Sequence, residues 1–117
     1  MKKDIKDRWT KALRSGRYEQ HRGQLTGSTQ GVPRFCCLGV LCDLHSAETG
    51  EKWNGNSYLL ESNVLPEKVV TWAGLQPQHN TVQVHLRGGQ SESTTLACLN
   101  DDGRSFKTIA NIIEEEL

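Results

Sequence analysis

The segment Phe35-Cys36-Cys37-Leu38-Gly39-Val40-Leu41-Cys42-Asp43-Leu44 constrains this chain most, because it is the one strongly hydrophobic run in a polar sequence. A run of this length makes about three helical turns, whereas a helix that crosses a bilayer needs roughly 20 residues. It therefore reads as the centre of a small soluble core. A helix over residues 35–45 is apolar on almost every side, the mark of a buried central helix. Gly39 inside it costs about 1 kcal/mol against Ala, so a neighbour is expected to pack closely over it.

The surrounding composition sets the scale of that core. A chain of 117 residues, 35% hydrophobic and with mean hydropathy −0.60, suits a single domain, 1–117, with a thin interior. Three Trp and two Phe must supply much of the packing, and a polar domain of this kind often completes its burial as a homo-oligomer. Met1-Lys2-Lys3-Asp4-Ile5-Lys6-Asp7 carries no apolar stretch of the signal-peptide type. Cysteines without an export signal belong to a reducing compartment. The cytoplasm is the expected location, with no membrane partner.

Net charge is zero, yet residues 1–34 hold nine Lys and Arg against Asp4, Asp7 and Glu19, a net of +6. The other 83 residues carry the compensating −6. A basic edge of this size suits an anionic partner, although a solvated helix face balanced within the fold would read the same way.

With the central helix counted, the chain reads as about four helices joined by short extended pieces, an α+β domain. Ile5, Trp9, Ala12 and Leu13 recur at helical spacing over residues 4–15, and Ser15-Gly16 gives the stop. Residues 17–34 read as a long polar loop with at most one short strand at 18–25. Residues 46–63 read as loop, with a turn at Asn54-Gly55 and a short strand at Tyr58-Leu59-Leu60. A compact third helix covers residues 65–74, opened by Pro66 and closed by Gly74. Val82, Val84 and Leu86 alternate with polar residues as the first strand of an antiparallel hairpin turned by Gly88-Gly89. The return strand lies in residues 93–99, of which 95–99 could equally be a short helix. A last helix follows the N-cap Ser105, and Glu114-Glu115-Glu116 should fray at the wrong end of its dipole.

Three chemistries are represented. Cys36 and Cys37 at a helix start would have lowered pKa values, and His85 followed by Asn100 or Asp101 gives the order of a papain-like site. The plainer reading makes both cysteines small buried hydrophobes and Asn100 and Asp101 turn and capping residues. Cys42 and His45 share a helical face, as two zinc ligands would, but a second pair is lacking, so no metal is expected. Arg14, Ser15, Arg17 and Tyr18 gather two guanidiniums, a hydroxyl and a ring around Gly16, and Arg22 and Arg34 extend the set. Such a group can hold a phosphate and stack a base; as structure, it is a helix end dressed with favourable basic residues. No phosphate-loop or dinucleotide fingerprint occurs and no cofactor is expected.

Four blocks resemble small uncharacterised proteins of bacteriophages and prophages. They are Trp9-Thr10-Lys11-Ala12-Leu13-Arg14-Ser15-Gly16-Arg17-Tyr18, the segment from Phe35 to Cys42, Leu65-Pro66 with Trp72-Ala73-Gly74-Leu75, and Leu99-Asn100-Asp101-Asp102-Gly103-Arg104-Ser105-Phe106 with Ile109-Ala110. The resemblance carries no established reaction and no catalytic residue. It implies a phage accessory protein in the cytoplasm of the host bacterial cell, a setting in which counter-defence factors bind host proteins or sequester or degrade nucleotide immune signals.

Three readings follow. In the favoured one, a homo-oligomeric binder sequesters a nucleotide-derived host signal, such as a cyclic nucleotide or an ADP-ribose derivative, without being an enzyme. The others are a thiol-dependent or signal-degrading hydrolase and a protein-binding inhibitor of a host defence factor. Ser105 to Ala110 resembles the first helix of a helix-turn-helix, but no recognition helix follows and the end is acidic, which argues against nucleic acid.

Overall fold

In the computed structural model, which describes residues 1–77, 80–86 and 92–117, the apolar run becomes the central helix α2, Cys37–Thr49. It starts later than the pattern suggests because Cys36 is extended and serves as N-cap, and it continues past His45 to a left-handed Gly50. Cys37, Leu38, Val40, Leu41 and Cys42 are all fully buried. The neighbour expected over Gly39 is the backbone of Leu25. A Cβ at position 39 would overlap the Leu25 carbonyl oxygen and come within 2.8 Å of its carbon. The same carbonyl accepts the Cys36 N–H at 3.0 Å, while the Leu25 N–H donates to the Ser62 carbonyl at 2.7 Å.

Residues 17–34 are not a loop. They form, with Phe35, a three-stranded sheet of β1 (Glu19–Gln20), β2 (Thr26–Thr29) and β3 (Val32–Phe35), in the order β1-β3-β2. β2 and β3 are an antiparallel hairpin, and β1 runs parallel to β3. The two-residue turn Gln30-Gly31 takes positive φ at both positions, 52° and 80°, the geometry that matches strand twist. Because β1 pairs only with Arg34 and Phe35, one side of β3 is unpaired at Pro33, where a residue without an N–H is tolerated. These strands escape a period-two search because neither face is apolar.

The strand expected at Tyr58-Leu59-Leu60 is instead a tight reversal. Tyr58 and Glu61 exchange backbone hydrogen bonds of 2.8 and 3.0 Å, and Leu59 and Leu60 both have positive φ. The Asn54-Gly55 turn forms, with Asn54 bridged to Ser57. Helix α3, Glu67–Ala73, closes on left-handed Gly74. The hairpin pairs β4, Gln83–Leu86, with β5, Glu92–Thr95; its Gly88-Gly89 turn lies outside the described residues. The chain then turns directly into α4, Leu96–Asp101, so the return segment is both strand and helix, and the helices number five among the described residues.

Helix α1, Lys3–Arg14, packs chiefly along α5, Phe106–Glu116. Ser105 caps α5 through the Thr108 N–H at 3.2 Å. Its acidic end stays helical rather than fraying, because Arg14 grips Glu114 through two bonds of 2.8 and 3.0 Å. Trp9 is fully buried and donates its indole N–H to the Cys37 carbonyl at 3.0 Å, fixing α1 to α2. Trp72 sits on the rim, edge-on to His45 with ring centroids 5.0 Å apart and its indole N–H on Glu48. The result is an α+β domain in which no helix among the described residues is long and apolar enough to cross a membrane.

Gly39→Ala is the sharpest test of this arrangement. The added methyl meets backbone, which cannot rotate away, so a loss of about 3 kcal/mol or more is expected in urea unfolding. A stability within about 0.5 kcal/mol of the parent, the range of a neutral surface change, would mean that Leu25 does not cross the helix there.

Candidate functional site

The nominated basic residues separate into distinct environments. Arg14 ties α1 to α5 through Glu114 and through Asn111 at 2.8 Å. Ser15 closes α1, donating to the Ala12 carbonyl at 2.6 Å and accepting the Arg17 N–H at 3.1 Å. Tyr18 lies over α2, where its hydroxyl donates to Asp43 at 2.7 Å and its ring meets Phe35 edge-on at 5.2 Å. Burial and the Asp43 carboxylate push the Tyr18 pKa well above its ordinary value. Trp53 donates to the other Asp43 oxygen at 3.2 Å, so Asp43 is held between two aromatic side chains.

Arg22 and Arg34 do come together. With Gln20 and His21 they line a groove of about 440 Å³ beside β1 and β3. Gln20 is fixed by bonds from its amide to Asn100 Oδ1 at 2.9 Å and to the Arg104 carbonyl at 2.8 Å. The His21 ring lies against Gly27, close enough that a Cβ there would fall 2.7 Å from Cε1. Arg22 packs against Gly103, and Arg34 reaches Glu19 at 3.8 Å, a loose ion pair. Arg34 Nε is buried with no hydrogen-bond partner among the described residues. A buried guanidinium N–H left unpaired is costly. Gln20 and His21 have no signal of their own in the sequence; pairing β1 with β3 places them beside Arg34.

The thiol site is joined only in part. Cys36 Sγ accepts the Gly39 N–H at 3.3 Å, and the Cys37 N–H donates to Asn100 Oδ1 at 3.1 Å. Asp101 accepts the Gly23 N–H at 2.8 Å and touches the Asn100 amide at 3.4 Å. His85 is elsewhere, in β4, with Ser93 Oγ at 3.4 Å from its ring and Glu116 accepting its backbone N–H at 3.3 Å. The two clefts that His85 lines include neither Cys36 nor Cys37. Burial outweighs the helix-start N–H groups and pushes the Cys36 thiol up to about 11; burial also raises Cys37 and Cys42. These thiols are therefore protonated at neutral pH. His45 is buried with Nδ1 2.5 Å from the Tyr58 hydroxyl, and desolvation lowers its pKa.

Asn100 is the polar centre of this region. Fully buried, it accepts from Cys37 and Gln20 and donates to the His21 carbonyl at 2.7 Å. It thereby ties α4 to the start of α2 and to the groove-bearing strand.

Three outcomes follow. Asn100→Asp should cost about 3 kcal/mol or more at pH 7, since it buries a charge and removes the His21 bond. The deficit should shrink as acid neutralises the new carboxyl; pH-independent unfolding midpoints relative to the parent would contradict this. A thiol-reactive dye at pH 8 should label the exposed Cys98 alone in the folded chain and all four cysteines after denaturation. The stability contributed by the raised Cys36 pKa is fully present below roughly pH 8.5. It is lost as pH climbs through about 11, which alkaline unfolding would report.

A family model described as a domain of unknown function, DUF8296, matches residues 1–117. No curated protein and no solved structure matches the chain. On the full-length match, the chain belongs to the DUF8296 family.

Proposed function

We propose that this chain binds a small anionic ligand of nucleotide type in the groove of Gln20, His21, Arg22 and Arg34, and holds it intact. The observation that carries this reading is that Arg22 and Arg34 line one concavity, with Arg34 Nε lacking a partner among the described residues. A phosphate oxygen is a fitting acceptor for such an N–H, because guanidinium–phosphate bonds are charge-assisted and directional. Retention rather than cleavage is supported by the raised thiol pKa values and by the separation of His85 from the cysteines. The groove is open on one side, and small-molecule sites enclose most of their ligand. A second copy closing over it suits the homo-oligomer expected from a polar composition.

In the phage setting that the four sequence blocks imply, this is a counter-defence role. The protein would sequester a nucleotide-derived host immune signal in the bacterial cytoplasm, a cyclic nucleotide or an ADP-ribose derivative being the ligand class.

The test is calorimetric titration with cyclic dinucleotides and ADP-ribose, followed by denaturation and mass analysis of what is released. Binding with intact ligand is expected, and Arg22→Ala and Arg34→Ala should each weaken it about tenfold or more, the worth of one charge-assisted bond. Arg17→Ala should leave it unchanged. A hydrolysed product, or no binding by any of these ligands, would overturn the reading.

A further inference from the structure

β4 is an edge strand whose outer side faces a cleft. Residues of an antiparallel ladder alternate between those bonded to the partner strand and those whose backbone groups point away. The Leu96 N–H donates to the Val82 carbonyl at 2.9 Å, continuing the register that pairs Val84 with Thr94 and Leu86 with Glu92. Gln83 and His85 therefore direct their N–H and C=O groups away from β5. The His85 N–H is met by the Glu116 carboxylate at 3.3 Å, a side chain standing where a strand would lie. Gln83 has no backbone partner on that side among the described residues.

The space beside this edge is shaped for chain. A cleft of about 390 Å³ runs along Gln83, Val84 and His85 to Met1, Gly74 and Leu117. Its floor is apolar, formed by Leu75, Val82 and Val84, each at most 9% exposed. Val82 holds φ at 61°, a rare conformation for a β-branched residue, immediately before β4 begins. A second cleft of about 390 Å³ continues past His85, lined by Glu92, Glu115 and Glu116 with Arg104 the basic residue among its lining.

We propose that the outer edge of β4 takes an extended basic peptide from a partner protein as an added strand. The peptide exchanges backbone hydrogen bonds with Gln83 and His85, displacing Glu116 from the His85 N–H. Side chains of an extended segment alternate in direction, so one set lies on Leu75, Val82 and Val84 and the other faces away from them, with Glu115 and Glu116 beside the edge. Affinity comes from the main chain and specificity from alternate side chains, the logic of strand addition. The acidic lining selects lysine or arginine. This site is separate from the Arg22–Arg34 groove and stands whether or not that groove binds a nucleotide.

The full-length chain is titrated with a fluorescein-labelled nonapeptide of alternating valine and lysine, monitored by anisotropy and by amide exchange. The expected result is saturable binding with slowed exchange at the Gln83 and His85 amides. Three changes should each weaken binding about tenfold or more: a valine–glutamate peptide, a peptide N-methylated at alternate residues, and His85→Pro, which removes an outward N–H from an edge strand. Should His85→Pro unfold, the N-methylated peptide makes the same test on the unaltered protein. Equal binding of the N-methylated or acidic peptide, or exchange at Gln83 that does not slow, would overturn the proposal. So would a concentration-dependent dimer abolished by His85→Pro, since the occupant would then be a second copy.

Discussion

The Leu25 carbonyl lies where a side chain at position 39 would be, and the rest of the fold is arranged around that contact. It brings a polar segment across the most hydrophobic helix in the chain and pins it there. One carbonyl both presses on Gly39 and accepts the Cys36 N–H, while the Leu25 amide reaches the Ser62 carbonyl. The sheet, the central helix and the segment after it are thereby held at one point. The donors at the start of α2 are also consumed internally, by Leu25, by Asn100 and by the Cys36 sulfur. A helix N-terminus is ordinarily a ready anion site; here its N–H groups are spent on the fold.

What could be read from the chain follows from where its signals are local. Helices α1, α2, α3 and α5 announce themselves by apolar spacing and by their ends, and the glycine within the apolar run foretold a close neighbour. The β1–β3–β2 sheet gave no such signal. Its strands are mostly exposed, and they are held by a Gln30-Gly31 turn and by docking on α2 rather than by a buried face. Tyr58 looked like a strand residue, yet its hydroxyl on His45 and its ring against Trp53 anchor it in a reversal. For the site, residue types were legible and groupings were not. Arg14 and Arg34 look alike in sequence, but the partner that occupies Arg14 is a hundred positions away.

A thin core makes polar satisfaction matter as much as apolar burial. Tyr18, Phe35, Trp53, Tyr58, His45 and Trp72 form a continuous line of ring contacts over α2. Its polar ends are matched in turn, with Tyr18 and Trp53 on Asp43 and Trp72 on Glu48. The arrangement gives Tyr and Trp their usual advantage of a large apolar body with a hydrogen-bonding tip. It also favours a neutral His45, since charging that ring in its buried setting is opposed by desolvation. The aromatic line thus contributes stability that acid erodes as the imidazole is forced to protonate.

Against this background of satisfied groups, the exceptions are informative. Buried polar atoms in native folds are overwhelmingly paired, so Arg34 Nε, without a partner among the described residues, stands out, and the outward backbone of the exposed Gln83 is an open strand edge. The two lie on surfaces of opposite character. One is a groove set with Arg22, Arg34 and His21; the other is bordered by Glu92, Glu115 and Glu116. A formal charge of zero therefore does not describe a neutral surface. It is the sum of a basic first third and an acidic remainder that the fold keeps apart in these two clefts, although Arg14 and Glu114 show that part of the asymmetry is spent on stability. Charges separated in this way favour partners of opposite sign at each place, which is what the two proposals require. Neither preference is visible in the net charge.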